Sequence, residues 1–356
     1  MQTFRKRQKT IHNCPARILL RQSWAAAFCA ACILLCGCHQ KDLVYPDSAM
    51  IKISVRFDWT YAPDADPDGM TVVFFPEDDG GHIWRYELAG SEGGDIEIPA
   101  GSYRMMAFNN DTKHIFYSGT SQMESYKAFT QETVPVAWPD TVLETCPGIV
   151  ADKIHRSPDA LYCASAKNVS VGLCSVSYRP VRPESAPEES EIKECGRHII
   201  KCYPEPRTCT YTCILRDVAN IKGMRRGYFV LSGLSPSDLI ARDILSDSEA
   251  EYLFTASRDD NDITGRTVAF GRSASPSARQ FLYLVAVMAD GRVAAYCRDV
   301  SGQVVNSPDK RNVKIIVDGI ELPYVSPDSP DEGEPGFDVG VDDWELVIVD
   351  HVISLR

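Results

Sequence analysis

The 356-residue chain contains 13 cysteines, and thiols can bind zinc, form disulfides or act as nucleophiles. Four of them lie close together in the second half: Cys195, Cys202, Cys209 and Cys213. None of these four forms a Cys-x-x-Cys pair or has a spaced His partner, so we predict no zinc site. On one strand, Cys209 and Cys213 would lie about 13 Å apart, whereas a disulfide spans about 7 Å at most between Cα atoms. Each could pair across strands or stay a free thiol.

The carboxylates at 64–69 raise the question of calcium binding. Asp64-Ala-Asp-Pro-Asp-Gly69 matches the start of a calcium-binding EF-hand loop. The twelfth position of that loop requires a bidentate Glu but holds Phe75, and the flanking pattern is that of strands, not helices. We reject the EF-hand and predict neither a metal nor another cofactor. A looser calcium-binding turn and a plain acidic turn both remain open.

Hydrolytic chemistry finds little support in the sequence. The chain has neither an H-E-x-x-H motif nor a G-x-S-x-G elbow. We predict that it is not an enzyme, with a hydrolase as the last of three functional alternatives. The formal charge of −12 argues against a nucleic-acid partner, which requires a basic face.

Residues 1–37 have the features of a secretory signal peptide. They contain six Lys and Arg and no acidic residue, and an apolar stretch of twelve, 25–36, follows the basic part. The stretch is too short for a spanning helix, which needs about 20 residues. Its end, Leu35-Cys36-Gly37-Cys38, resembles a bacterial lipobox apart from Cys36. We expect cleavage between Gly37 and Cys38 and attachment of diacylglycerol to the Cys38 thiol; an ordinary signal peptide and an uncleaved anchor are the alternatives.

Removal of this segment changes the composition of the exported chain. It leaves 31 Lys and Arg against 49 Asp and Glu, a formal charge of −18, and eight cysteines besides Cys38. The polar residues 38–48 would be a lipidated tether. We therefore expect an outer-membrane, lipid-anchored protein whose body is exposed at the cell surface.

Alternation of apolar and polar residues indicates strands in most of the remaining chain. Residues 51–59 alternate strictly, and 71–88 have the pattern of a hairpin. Further strands are predicted at 95–98, 102–109, 134–138, 161–164, 198–202, 208–216, 227–231, 267–270, 281–288, 292–297 and 313–317. Only 236–252 is a candidate for a helix. Short strands separated by turn residues predict an all-β sandwich architecture.

A change in composition at 180–194 predicts a domain boundary. The segment contains three Pro and five Glu, so it is too polar to bury a core. We predict an N-terminal sandwich domain at 49–179, an acidic Pro-rich linker or loop at 180–194 and a C-terminal sandwich domain at 195–356.

Several segments together resemble a family of Bacteroidales lipoproteins of unassigned function, related to the anchor and minor subunits of type V-like fimbriae. The segments that carry the resemblance are 57–59, 66–76, 98–103, 108–112, 209–212, 231–234 and 336–344. The resemblance implies two tandem transthyretin-like (Greek-key) sandwich domains and no catalytic residues. It also implies a fimbrial anchor or accessory adhesin subunit that has fimbrial subunits as partners. Such a subunit would be attached to the outer membrane through the lipid on Cys38.

Related fimbrial subunits assemble by β-strand pairing, in which an unpaired edge receives a strand from a neighbour. Two segments are candidates for such pairing, 51–59 and 337–355. Their core-facing residues are Ile51, Ile53, Val55 and Phe57 in the first and Phe337, Val339 and Val341 in the second. The alternative is that both segments are ordinary internal strands.

The second functional hypothesis is a surface glycan-binding lipoprotein of a carbohydrate-uptake system. Aromatic side chains could provide its binding platform, and the candidates are Trp59, Tyr61, Trp84, Tyr86 and Trp138. Core packing is the competing explanation for these residues.

Overall fold

A computed structural model describes residues 49–78, 80–133, 136–150, 153–182 and 198–326. The predicted signal peptide and tether, most of the predicted linker and the segment 337–355 lie outside the described residues.

The first half of the described chain contains ten strands. They are β1 (Met50–Phe57), β2 (Gly69–Pro76), β3 (Trp84–Ala89), β4 (Gly93–Pro99), β5 (Gly101–Asn109), β6 (Phe116–Ser118), β7 (Lys127–Phe129), β8 (Ile154–His155), β9 (Tyr162–Val171) and β10 (Val176–Pro180).

The second half contributes twelve further strands. They are β11 (Ile199–Cys202), β12 (Glu205–Pro206), β13 (Cys209–Arg216), β14 (Met224–Leu234), β15 (Ser237–Leu239), β16 (Ile244–Leu245), β17 (Ala250–Thr255), β18 (Ser257–Asp259), β19 (Asp262–Ala269), β20 (Phe281–Met288), β21 (Val293–Asp299) and β22 (Asn312–Asp318).

Helices are short in the described residues. The α-helices are α1 (Asp140–Thr145) and α2 (Ser301–Val305), and 3₁₀ turns occupy Trp59–Tyr61, Met123–Ser125 and Ile221–Gly223.

The strands form two β-sandwiches, which confirms the predicted fold class. In the first, the sheet β11-β1-β4 packs against the sheet β10-β9-β5-β2-β3, in which β12 also pairs with β9. In the second, the sheet β18-β19-β13-β22 packs against β21-β20-β14-β17-β8. In each sandwich the first strand, β1 or β13, lies between an antiparallel neighbour and a parallel one that comes later in the chain.

The predicted alternation of apolar and polar residues explains which face of each strand packs on the core. In β13, Cys209, Tyr211, Cys213 and Leu215 are buried on one face while the residues between them are partly exposed. The hairpin β2–β3 forms in the predicted place. The hairpin β20–β21 joins two predicted strands and closes through the Ala289-Asp-Gly291 turn, where Gly291 has a φ of 80°. Period-two patterning therefore located the strands correctly where one face packs on a core.

Two local predictions were wrong. In the predicted strand 134–138, the described residues 136–138 form no strand but lead into α1, because Pro139 has no amide donor to continue a strand. The candidate helix at 236–252 contains β15, β16 and the start of β17 instead. There Asp243 has a φ of 52°, a left-handed conformation that ends a strand in a turn but cannot continue a right-handed helix.

Three short strands cross the boundary that we predicted at 180–194. Strands β11 and β12, which we assigned to the C-terminal domain, pair with β1 and β9, and β8, which we assigned to the N-terminal domain, pairs with β17. Both sandwiches therefore include strands from beyond that boundary, because an uncovered edge would leave backbone groups unpaired. The boundary itself stays a prediction.

A small fifth sheet, β16-β15-β7-β6, joins the two halves. Strand β7 precedes the predicted boundary and β15 follows it, and they pair in antiparallel register. Buried residues beside this sheet, including Phe108, Tyr126, Ile240 and Phe270, form an apolar cluster between the sandwiches. Both sandwiches therefore belong to one compact unit.

Candidate strand-pairing site

Of the predicted site residues, only those of β1 are described. Gly37 and Cys38, at the predicted cleavage and lipid-attachment site, lie outside the described residues, as do Phe337, Val339 and Val341. Lipid attachment and the pairing of the C-terminal segment therefore stay predictions.

The four candidate residues of β1 are core residues of the first sandwich. The exposed fractions of Ile51, Ile53, Val55 and Phe57 are 8%, 1%, 0% and 8%. Strand β4 pairs with the whole of β1, from Met50 opposite Pro99 to Arg56 opposite Gly93. Gly93 has a φ of 99°, and a Cβ there would lie 2.2 Å from the Val55 carbonyl oxygen, so only glycine permits this close approach.

The other side of β1 is only partly covered. Strand β11 pairs in parallel with Ser54 to Phe57, and the first contact is a bond from the Ser54 amide to the His198 carbonyl, 2.7 Å long. No strand in the described part of the chain pairs with Met50–Ile53 on this side. Within the described residues, Met50–Ile53 therefore pair with a strand on one side only.

Strand β11 itself is short and is held by a few specific contacts. Ile200 and Cys202 are fully buried, while Ile199 is 44% exposed. The Lys201 amide donates to the Tyr178 hydroxyl at 2.8 Å, and its ammonium lies 2.7 Å from the Asp58 carboxylate. Hydrogen bonds from Lys201 and Thr60 lower the pKa of Asp58 to about 2. These contacts of Lys201 gave no signal in the sequence, because Tyr178 and Asp58 lie far from it along the chain.

The outward face of β1 is polar. Lys52 and Arg56 both form ion pairs with Asp95 on β4, and these pairs are largely exposed. Exposed ion pairs contribute little stability. Lys52 lies in the part of β1 that β11 does not pair with, so its charge is next to those backbone groups.

A buried polar cluster lies where the small fifth sheet meets the second sandwich. Arg207, only 9% exposed in its side chain, lies 3.0 Å from the Asp243 carboxylate, and Arg311 lies 3.2 Å from the same group. Asp238 on β15 is fully buried, and burial together with the charge of Asp243 raises its pKa to about 7. The two Arg and two Asp residues of this cluster lie up to about a hundred positions apart, so no local pattern in the sequence indicated it.

The aromatic residues that we considered for a glycan platform mainly pack against the core. The Trp59 indole donates to the Ser91 carbonyl at 2.8 Å and meets Tyr162 edge-on at 5.6 Å. Trp138 is 7% exposed and packs on the outer face of the second sandwich. Trp84 and Tyr86 pack against the first core. The Tyr61 ring lies 6.1 Å from that of Tyr203, measured between ring centres. Of the five rings only that of Trp138 is buried, so core packing accounts for only part of the surface of the other four.

The loop 64–69 makes two exposed hydrogen bonds to neighbouring segments. Asp66 accepts a hydrogen bond from the Ser91 hydroxyl at 3.0 Å. The Asp68 amide donates to Asp111 at 3.1 Å. Among the described residues, no group of three or more His, Cys, Asp or Glu is arranged to hold a metal ion.

The cysteines of the described chain are free thiols. Cys146, Cys163, Cys202, Cys209 and Cys213 are buried. Burial raises the pKa of Cys146 to about 11 and that of Cys163 to about 12, so both thiols are protonated at neutral pH. They are packing residues in this state, without the thiolate that nucleophilic chemistry requires.

None of the helices described is both long and apolar enough to cross a bilayer.

Comparison with known proteins identifies relatives. Over 142 residues the chain is 26% identical to a Bacteroides ovatus protein named "Putative fimbrium anchoring subunit Fim4B". The match spans 39% of this chain and only 38% of that relative.

Solved structures show a similar fold. A "putative adhesin" from Bacteroides ovatus has a TM-score of 0.58 and 19% identity, with 82% of this chain and 98% of that chain covered. The fimbrial anchor protein Mfa2 from Porphyromonas gingivalis has a TM-score of 0.43 and 11% identity, covering 74% of this chain and 90% of that chain.

A protein family described as "Domain of unknown function (DUF5119)" matches residues 37–255, more than half of the chain. The matched range includes the whole first sandwich and the start of the second. This protein therefore belongs to the DUF5119 family.

Proposed function

We propose that this protein is a cell-surface lipoprotein that acts as a fimbrial anchor or accessory adhesin subunit, joined to partner subunits by β-strand pairing. The observation that carries the proposal is the 26% identity, over 142 residues, to a protein named as a fimbrium anchoring subunit. The lipobox-like sequence ending at Cys38 supports attachment to the outer membrane.

The edge of β1 gives the proposal a physical site. Backbone donors and acceptors along Met50–Ile53 have a strand on one side only within the described chain. A partner strand that paired there would gain main-chain hydrogen bonds, and the alternation of β1 would fix its register. This open edge directly follows the predicted tether, so assembly and membrane attachment would occur at the same end of the chain.

Site-specific photocrosslinking tests the pairing. A photoreactive residue at Lys52, on the open half of β1, should crosslink to a fimbrial subunit on cells that assemble the polymer. Lys52 is suitable because its side chain is 68% exposed.

The matched control is Lys167, an exposed residue of β9 that lies inside a sheet with strands on both sides. A probe there should give no fimbrial adduct. Equal adducts from both positions, or adducts from Lys52 only to carbohydrate-uptake proteins, would contradict the proposed pairing.

A further inference from the structure

A cavity of about 600 Å³ lies at the end of the second sandwich where β13 and β22 begin. Loop 270–274 and helix α2 form its walls, and β16 reaches its rim. Apolar side chains cover much of the wall: Leu245, Phe270, Val304, Val305 and Val313. The candidate strand-pairing site of β1 does not contribute to it.

Tyr211 on β13 lines the cavity and is 1% exposed. Its phenol lies within electrostatic reach of Arg272 and Arg311, two of the cations around the same cavity. A ligand group that these cations held would therefore lie beside the Tyr211 side chain.

Three cations surround the same space: Arg272, Lys310 and Arg311. The Arg272 side chain is paired with no other side chain in the described chain, and Lys310 donates only to the Val305 carbonyl. Arg311 is shared between Asp243, at 3.2 Å, and the Cys209 sulfur, at 3.7 Å. With Asp243 as the one lining carboxylate, the cavity has a positive excess in a chain whose formal charge is −12.

The groups that line the cavity are complementary to ligands that combine a carboxylate with hydroxyl groups and an apolar face. Arginines bind carboxylates through paired hydrogen bonds. The hydroxyl of Tyr211 and the carboxylate of Asp243 suit ligand hydroxyl groups, while apolar walls suit a C–H face. Strand β16, the edge of the fifth sheet, also lines the cavity, so an extended acidic peptide is the competing ligand that the binding test must separate from a sugar.

We propose that this cavity binds an acidic sugar, with its carboxylate against Arg272 and Arg311 and a hydroxyl group on Tyr211. Neither strand pairing nor lipid attachment uses these residues, so the inference goes beyond the proposed function. It gives a surface subunit a means of recognising uronate-containing glycans.

Calorimetric titration of the purified protein with sodium glucuronate tests the inference, with glucose as the neutral analogue. We expect glucuronate to bind in the millimolar range, more weakly at high salt, and glucose not to bind. Loss of a charge-assisted hydrogen bond should lower the affinity of Arg272→Gln about tenfold. Tyr211→Phe keeps the buried ring and removes only the hydroxyl, and its affinity should also fall severalfold.

Lys314→Gln is the matched control, since Lys314 is an exposed cation on β22 outside the cavity. It should bind glucuronate as the parent protein does. Thermal unfolding of each variant verifies that the fold is intact. Glucose binding as tight as glucuronate binding, unchanged affinity in both cavity variants, or tighter binding of a capped triglutamate peptide would each overturn the assignment.

Discussion

The buried carboxyl of Asp238 makes the stability of the fold depend on pH. Its pKa is about 7 because burial and the nearby Asp243 disfavour ionisation more than Arg207 and Arg311 favour it. An unfolded Asp has a pKa near 3.9. Ionisation is therefore easier in the unfolded chain, and stability falls as the pH rises from about 4 to about 7.

We expect Asp238→Asn to remove this fall in stability with rising pH. Relative to the parent protein, the variant should gain on the order of 2–4 kcal/mol in free energy of unfolding at pH 8, and little at pH 4. Urea unfolding at pH 4, 6 and 8 measures the difference. A gain that did not grow with pH would show that Asp238 is ionised in the folded protein throughout this range.

Asp58 should show the opposite dependence. Its folded pKa of about 2 lies below the unfolded value, because the Lys201 ammonium and Thr60 stabilise the charged form. This contribution is present above about pH 4 and is lost as the pH falls toward 2. Asp58→Asn should lose about 1 kcal/mol at pH 7, since the partly exposed pair is screened by solvent, and the deficit should vanish near pH 2. Urea unfolding at pH 7, 4 and 2 measures this, and a deficit that stayed constant down to pH 2 would contradict the ion pair with Lys201.

The surroundings of some residues could be predicted from the sequence and those of others could not, for one physical reason. Ile53 and Val55 were predicted correctly as core residues because their neighbours along the strand reveal which face is buried. Asp238 gave no such signal, and alternation placed Tyr211 on the buried face of its strand without indicating the cavity beside it. The charges and walls around these two residues come from strands and loops far away in the sequence, which only the folded chain brings together.

At the scale of elements, β11 determines how β1 is covered. The pairing is parallel and joins segments about 145 positions apart, so no local pattern predicts it. The alternation in 198–202 predicted a strand but not its partner. Likewise, the apolar residues before α1 suggested a strand, whereas Trp138 is buried by packing on the second sandwich.

The packing of β11 can be tested with two neighbouring isoleucines. Ile200 is fully buried between the sheets of the first sandwich, whereas Ile199 is 44% exposed. Ile200→Ala should cost about 2–4 kcal/mol in free energy of unfolding because it leaves a cavity in the core. Ile199→Ala, the matched control, should change it by less than about 0.5 kcal/mol. Chemical denaturation measures both, and equal effects would mean that β11 is not packed in this register.

At the scale of the whole molecule, two sandwiches share one compact unit, with strands exchanged between their sequence halves. Alternation and turn residues predicted strands along the chain, and the resemblance implied two tandem sandwiches. The interleaving did not follow, because no local pattern indicates which distant strand β8 or β11 pairs with.

The central claim is that this protein holds fimbrial polymer at the cell surface through a lipid on Cys38. The most direct test is Cys38→Ala in cells that assemble the polymer, with Cys36→Ala, two positions earlier, as the matched control. Immunodetection in cell and medium fractions measures where the protein and the fimbriae go. We predict that Cys38→Ala releases the protein and sheds fimbriae into the medium, while Cys36→Ala retains both on the cells. Fimbriae that remained attached equally well in Cys38→Ala cells would contradict the account.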